Sequence, residues 1–366
     1  MMWMEKVKLS DICSPKQWKT IPTSDLLNEG YPVYGANGII GYYNEYNHEN
    51  PVVTVTCRGA TCGSINITVP KAYVTGNAMC LDDLKNDIEI EYLYYCLKHY
   101  DFKNVISGSA QPQITRQGMD KIYIMLCSRE EQRDIVNKLK KTEKVIKLRK
   151  QELQLLDDLV KARFVEMFGD PVSNPYGYDK VALSDLADIK IGPFGSLLHK
   201  EDYIVGGHPL LNPSHIVDGR ISPDNKLTIS DEKYKELSAY QLKTGDVVMG
   251  RRGEMGRCAV VSEEGFLCGT GSILIRTKGD VTADYIQKTI SFPSFKKTIE
   301  DMAVGQTMPN LNVPIVSSFE IIKPPIEVQD RYYALVEQVD KSKVEIQKAL
   351  NKTQTLFDLL MQEYFG

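Results

Sequence analysis

The residues in this sequence that could do chemistry are scattered, and their spacing excludes more than it supports. The eight cysteines, Cys13, Cys57, Cys62, Cys80, Cys96, Cys127, Cys258 and Cys268, contain no CxxC pair, and the five histidines, His48, His99, His199, His208 and His215, form no cluster. Zinc sites need Cys and His paired at short spacings, so reduced, mostly buried thiols are expected, with no metal and no cofactor. The loop GRRGEMGR (250–257) is rich in glycine but lacks the GK[ST] ending of a phosphate loop. A nuclease would need clustered acids around a lysine on a sheet. Glu254 follows the Arg252-Gly253 turn, yet no further acid comes before Glu263 and Glu264. Two Arg-Gly turns remain, Arg58-Gly59 and Arg252-Gly253, each expected at the tip of a strand and turn.

Composition sets the frame for these turns. The chain has 366 residues, 42% apolar and 25% charged, the balance of a folded protein. Its length suggests two domains. No apolar run approaches the roughly 20 residues of a membrane helix. At the N-terminus, Glu5 and Lys6 arrive before the hydrophobic core of a signal peptide can form, so secretion is not expected. The net charge of −4 argues, on its face, against a nucleic-acid partner.

That average hides an internal repeat. The first half ends Glu166-Met167-Phe168-Gly169 and the chain ends Glu363-Tyr364-Phe365-Gly366, an offset of 197 (366 − 169). The same offset relates Gln111-Pro112-Gln113-Ile114 to Met308-Pro309-Asn310-Leu311, and Glu131-Gln132 to Val328-Gln329. Near the start, Val7-Lys8-Leu9-Ser10-Asp11 matches Val181-Ala182-Leu183-Ser184-Asp185 at an offset of 174, and Arg58-Gly59 matches Arg252-Gly253 at 194. The second copy therefore gains 20 residues before its Arg-Gly turn and 3 after it. Two homologous units stand in tandem.

Each copy opens with short β-branched runs bounded by glycine, the pattern of strands and turns. Examples are PVVTVTC (51–57) and GSINITV (63–69), then GDVVMGRRGEMGRCAVV (245–261). Each copy closes with a long helix free of Pro and Gly. The first places Leu139, Ile146, Leu153, Val160 and Met167 every seventh residue; the second carries Tyr332, Val339, Ile346 and Leu360 beside Val336, Leu350, Phe357 and Tyr364. A seam of period seven asks for a partner helix, so the two helices are expected to pair. Thr142, Arg149 and Arg163 interrupt the first seam, and Lys343 and Thr353 the second.

Two β-rich domains, each followed by a long helix, resemble the DNA-specificity subunit of type I restriction–modification enzymes. The resemblance covers essentially the whole chain. It is carried by PVYGANGIIGYYNEY, Arg58-Gly59, the YYCLK of Tyr94–Lys98, the GSAQP of Gly108–Pro112, Glu130-Glu131-Gln132, the junction FGDPVSNPYGY (168–178) and GPFGS (192–196). It implies an α+β chain of two target-recognition domains in tandem, 1–128 and 170–326. Long spacer helices at 129–169 and 327–366 would pair as an antiparallel coiled coil. It also implies a non-catalytic, cytoplasmic, prokaryotic protein that reads double-stranded DNA with a split target. Its partners would be two modification (methyltransferase) subunits and, in the full complex, restriction (ATP-dependent translocase/nuclease) subunits. A helix of about 38 residues is roughly 57 Å long, more than the roughly 34 Å advance of one DNA turn.

On that reading, base edges are read by the forked side chains of Arg, Asn and Gln, and phosphates are gripped by Lys, Arg and backbone amides. The candidates in the first head are Tyr34, Asn37, Tyr42, Arg58, Asn77, Gln111, Gln113 and Arg116. Those in the second are Lys200, Asn212, Arg251, Arg252, Arg257, Gln306 and Asn310. Asn and Gln in turns also serve the turn itself, and an Arg in a turn is often simply solvated. The two heads differ by 23 residues (197 − 174), so unlike half-sites are expected.

Charge along the helices is uneven. Lys138 to Lys150 holds seven basic residues and one acid, whereas Leu335 to Gln347 holds two basic residues against three acids. A basic stretch opposite a weakly acidic one supports antiparallel or staggered pairing, or a side that faces phosphates, although a lysine run is usually a solvated face. Two other classes stand beside this reading. Asn174-Pro175-Tyr176 approaches the Asn/Asp-Pro-Pro-Tyr motif of amino-methyltransferases but lacks the second Pro and any preceding Gly-rich loop, which leaves a turn between the units. A coiled-coil scaffold that bridges partners without reading DNA is the remaining alternative.

Overall fold

The computed structural model describes residues 4–36, 38–108, 111–303 and 310–366. The chain divides into two compact units. One joins Met1–Leu153 to Glu345–Gly366, and the other is Gln154–Val344. Each unit therefore contains one β-rich head and parts of both long helices, which run Arg129–Phe168 and Ile326–Phe365. No described helix is long and apolar enough to cross a membrane.

The repeat seen in the sequence is a repeat of topology. In the first unit an antiparallel sheet has the order Ser14–Gln17, Ala78–Asp82, Val53–Thr56, Ile65–Ile67. In the second the order is Ala187–Ile191, Ser272–Thr277, Val247–Gly250, Cys258–Val260. The middle strands are buried on both faces; Val53, Val55, Val247 and Met249 are among the least exposed residues of their cores. That explains why they lack the polar-outward alternation of a half-exposed strand, Thr54 and Thr56 included. A second small sheet lies in each head, with a parallel pair at corresponding places: Tyr31–Gly35 with Tyr73–Val74, and His208–Leu211 with Leu267–Cys268. The additional residues of the second head fall in 198–240, which holds five short strands where the first head has two, and the helix Asp231–Glu236.

Each head is sewn to its long helix by the same device. Gln132 and Gln329, equivalent at the offset of 197, are both 1% exposed. The Gln132 side-chain oxygen accepts from the Glu89 amide at 2.9 Å, and its nitrogen donates to the carbonyls of Asp87 and Cys127. Gln329 accepts from the Thr282 amide at 2.9 Å and donates to the Pro324 carbonyl. Both glutamines satisfy backbone groups that burial would otherwise leave unpaired. The YYCLK string lies in the helix Ile90–His99, where Tyr95 and Lys98 donate to the Glu143 carboxylate at 2.6 and 2.8 Å.

Within each unit the helices pair antiparallel. In the first, Lys138 lies beside Tyr364 and Arg149 beside Thr353, while Ile146, Leu350, Phe357 and Met361 join the core of the head. In the second, Tyr332 packs edge-on against Phe168 with ring centres 5.3 Å apart, and Lys343 bonds Asp157. The polar interruptions of the seam thus answer one another. Arg149 donates to the Ala349 carbonyl and the Thr353 hydroxyl, and Lys343 meets Asp157. Arg163 instead turns outward to Glu166.

The charged stretches do not face each other as expected. Antiparallel register sets 138–150 against the C-terminal part of the second helix, not against 335–347. Part of the basic run is neutralised by its own surroundings, with Lys138 on Asp134 and Lys140 on Glu91.

Candidate nucleic-acid interface

The Arg-Gly turns have the same construction in both heads. In the first, Cys57 follows the strand Val53–Thr56 and the chain turns at Arg58-Gly59. The Ile114 amide donates to the Cys57 carbonyl at 3.0 Å, the Gly59 amide donates to the Pro112 carbonyl at 3.2 Å, and Arg58 bridges Gln113. In the second, the Leu311 amide donates to the Arg251 carbonyl at 2.9 Å and Arg252 bridges Asn310. Gly59 and Gly253 adopt φ of +89° and +81° with open space where a side chain would stand. They are glycine for backbone conformation, not for room. The two repeated strings, Arg-Gly and the Pro-containing run, are therefore partners in space.

In the first head this pairing brings Arg58, Gln111 and Gln113 together, all exposed. Arg116 is exposed two residues beyond Ile114, at the start of a short helix whose Thr115 hydroxyl accepts from the Gly118 amide at 3.1 Å. Asn77 borders the turn through its backbone, its carbonyl accepting from the Cys57 amide at 3.1 Å. Tyr42 stands apart, exposed on the strand Gly38–Tyr43. Tyr34 does not fit the expectation of a surface contact. It is 6% exposed, and its hydroxyl accepts from the Val69 amide at 3.2 Å, so it fills the small sheet's core. Asn37 lies outside the described residues.

In the second head, Arg251 and Arg252 both donate through Nε to Oδ1 of Asn310, at 3.0 and 3.4 Å. Burial, together with the neighbouring Arg252 charge, lowers the pKa of Arg251. Among the described residues neither guanidinium meets a carboxylate, and 304–309 contains no acid. Two cations that share a neutral acceptor favour an anion or an electron-rich base edge. Arg257 is different. It is spent on Glu254 at 2.6 Å and on the Pro213 carbonyl. Asn212 is also committed, since its Oδ1 accepts from the Gly271 amide at 3.3 Å while the residue caps the turn Pro213–His215. Lys200 is exposed in a short turn of the inserted segment, and Gln306 lies outside the described residues.

An open groove of about 530 Å³ lies beside the arginine pair, lined by Ile191, Phe194, Arg251, Arg252, Thr270 and Gly271. Phe194 and Thr270 were not among the candidates from the sequence. The available signal was Phe194 itself, a large apolar residue between a proline and a glycine in GPFGS, where no core position would be expected.

A model of the type I restriction modification DNA specificity domain matches residues 2–157 and again residues 175–354. The chain belongs to this family. It is a DNA sequence specificity subunit of the type I restriction–modification class. Among curated relatives, the specificity subunit of type I restriction enzyme MjaVIII from Methanocaldococcus jannaschii is 20% identical over 327 residues, covering 81% of this chain and 76% of that one. The MjaIX specificity subunit of the same organism is 23% identical over 304 residues, covering 76% and 68%. The fold is that of the S subunit from M. genitalium, with a TM-score of 0.66 and 15% identity over 100% of this chain and 96% of that one. A chain from a structural study of complex assembly and conformational transition of the type I R-M system superposes with a TM-score of 0.61 at 18% identity, covering 99% and 97%.

The eight cysteines are free, and seven are buried, with Cys62 half-buried. Burial raises the thiol pKa values, that of Cys13 to about 12, which leaves unreactive groups. The specificity subunit also gathers His48, Cys80 and Asp82, with their potential ligand atoms within 4.8 Å. His48 bonds Asn47 and Asp82 through its two ring nitrogens, Asp82 accepts from Trp18 through its second oxygen, and burial raises the Cys80 pKa. The cluster is a hydrogen-bonded brace within the head.

Proposed function

We propose that this specificity subunit reads a split duplex target, one half-site per head, and performs no chemistry itself. It would direct two modification subunits and, in the full complex, restriction subunits to that target in the prokaryotic cytoplasm. The observation that carries this reading is the duplicated bridge, Arg58 to Gln113 and Arg252 to Asn310. This backbone bridge makes an arginine and an amide residue cross-strand neighbours in each head, residue types suited to guanine and adenine edges. We assign contact to Arg58, Gln111, Gln113 and Arg116 in one head and to Arg251 and Arg252, oriented by Asn310, in the other. Tyr42, Asn77 and Lys200 are peripheral candidates.

The paired helices would serve as the spacer between half-sites and as the docking surface for the modification subunits. In support, both helices keep large apolar side chains in solvent: Leu148 and Leu359 in the first unit, Leu155 and Leu159 in the second. Leu155 is 67% exposed and Leu359 62%. Such residues on a highly charged helix suit a protein interface.

The test is a mobility shift with the modification subunits present. A duplex with a split target should be retarded, with affinity falling steeply as salt rises. Arg58→Ala and Arg252→Ala should each relax or abolish one half-site while thermal unfolding stays unchanged. If both variants bound and methylated the wild-type target, these arginines would lose their role. Methyl transfer by the chain alone would sink the non-catalytic reading, and indifference to duplex sequence would favour a scaffold.

A further inference from the structure

The loop that carries Phe194 is built to hold an apolar ring in solvent. Its start is fixed by Gly192, whose amide donates to the Ser272 carbonyl at 3.1 Å. A side chain at Gly192 would come within 2.0 Å of the Gly269 carbonyl oxygen, so the backbones touch there and only glycine fits. The next residue, Pro193, is held by its carbonyl, which accepts from the Thr270 hydroxyl at 2.8 Å. Phe194 follows, 61% exposed, in the wall of the groove shared with Arg251 and Arg252. A ring left in water on a fixed loop forgoes the gain of apolar burial. The groove beside it carries two cations that meet no carboxylate among the described residues.

We propose that Phe194 reads a thymine in the second half-site. It would pack on the 5-methyl group in the major groove, next to the guanine edge met by the Arg251–Arg252 pair. This rests on the reading of the arginine turn as a base contact. The chemistry favours thymine because it alone among the four bases presents a methyl group in that groove, and Phe is a side chain that contacts it. The charge of the arginine pair suits the surrounding phosphates and the guanine O6 and N7 acceptors.

The first head has no such ring. Ile191 pairs with Ile273 as Gln17 pairs with Met79, so Phe194 corresponds to Thr20. The Thr270 anchor corresponds to Gly76, which offers no hydroxyl. Thymine reading of this kind belongs to the second head alone, and the two half-sites differ in chemistry at that place.

The experiment uses the full chain at low salt. Duplexes are selected from a randomised pool, and each thymine of the selected target is then replaced by deoxyuridine, which removes only the methyl group. Wild type should lose about four-fold in affinity at one thymine, the contribution of a buried methyl-sized group. Phe194→Ala should bind the thymine and deoxyuridine duplexes equally and remain as stable as wild type, because the ring is exposed. The proposal is overturned if deoxyuridine is neutral at every position, if the selected half-site has no thymine, or if Phe194→Ala still discriminates. Arg252→Ala in parallel separates the two readings. If it selects the same duplex as wild type, the base-contact reading of the turn fails. If it relaxes the half-site while deoxyuridine stays neutral, only the thymine contact fails.

Discussion

Asn310 places one amide oxygen between two arginines, accepting from Arg251 Nε at 3.0 Å and Arg252 Nε at 3.4 Å. The bonds hold both guanidiniums by their Nε edge, and among the described residues no hydrogen bond takes their terminal nitrogens. A neutral acceptor orients the pair without cancelling its charge. Asn310→Asp would cancel part of that charge. It should weaken binding to a split-target duplex by about ten-fold or more, in line with the 1–3 kcal/mol of a bidentate base contact, and reduce the salt slope. Asn310→Ala should weaken binding while leaving the salt slope unchanged. Competition binding across a salt series distinguishes the two. Equal slopes for wild type and the Asp variant would refute this role.

Gln132 and Gln329 should be among the most sensitive polar positions. Replacing either by Ala leaves a buried backbone amide and one or more carbonyls without partners. The expected cost is about 2–4 kcal/mol, from roughly 1–3 kcal/mol for each group left unsatisfied. Urea unfolding would measure it, and a loss below about 0.5 kcal/mol would mean that water replaces the side chain.

The Arg149–Thr353 contact predicts an asymmetry. Thr353→Leu leaves a part-buried guanidinium with one partner fewer and should destabilise the first unit by about 1–3 kcal/mol. Arg149→Leu together with Thr353→Leu completes the apolar seam and should leave stability equal or higher, as when a buried charge gives way to packed hydrocarbon. Thermal unfolding of the two variants checks the order. If the double variant is the less stable, the polar contact contributes more than its apolar replacement.

Acid should loosen the start of the first long helix. The Arg129 guanidinium, donating to Glu89 at 2.7 Å, holds that carboxyl below the usual glutamate range; burial opposes this, and Arg133 adds to the lowering. A lowered folded pKa contributes stability that is present above the unfolded value and lost as pH falls through the folded one. Glu89→Gln should therefore show a shallower decline of thermal midpoint below about pH 4.5 than wild type. Identical profiles would exclude Glu89 as a contributor.

Much of the molecule was legible in the chain. The offsets of 174, 194 and 197 located corresponding strands, and the seven-residue rows located two helices of 40 residues each. Both are periodic properties, repeated often enough to survive local exceptions. The exceptions were not legible. Arg149, Thr353 and Lys343 read as flaws in separate seams, because a single helix cannot show which residue of its partner stands opposite. The same holds for the charged stretches, whose opposition failed once the antiparallel register set other residues together.

At the candidate interface the division follows the same physics. Arg58 and Arg252 were found because glycine beside arginine in a repeated turn is a local feature. Tyr34, Asn212 and Arg257 have suitable residue types near glycine-rich turns, but burial and hydrogen bonding commit them to the fold. Residue type and spacing in the sequence determined the repeat, the elements and the two arginine turns. Only the tertiary structure decided which strands those turns meet, which side chains are committed to the fold, and that Phe194 stands in a groove beside them. These depend on contacts between residues some 55 to 80 positions apart, which no local pattern encodes.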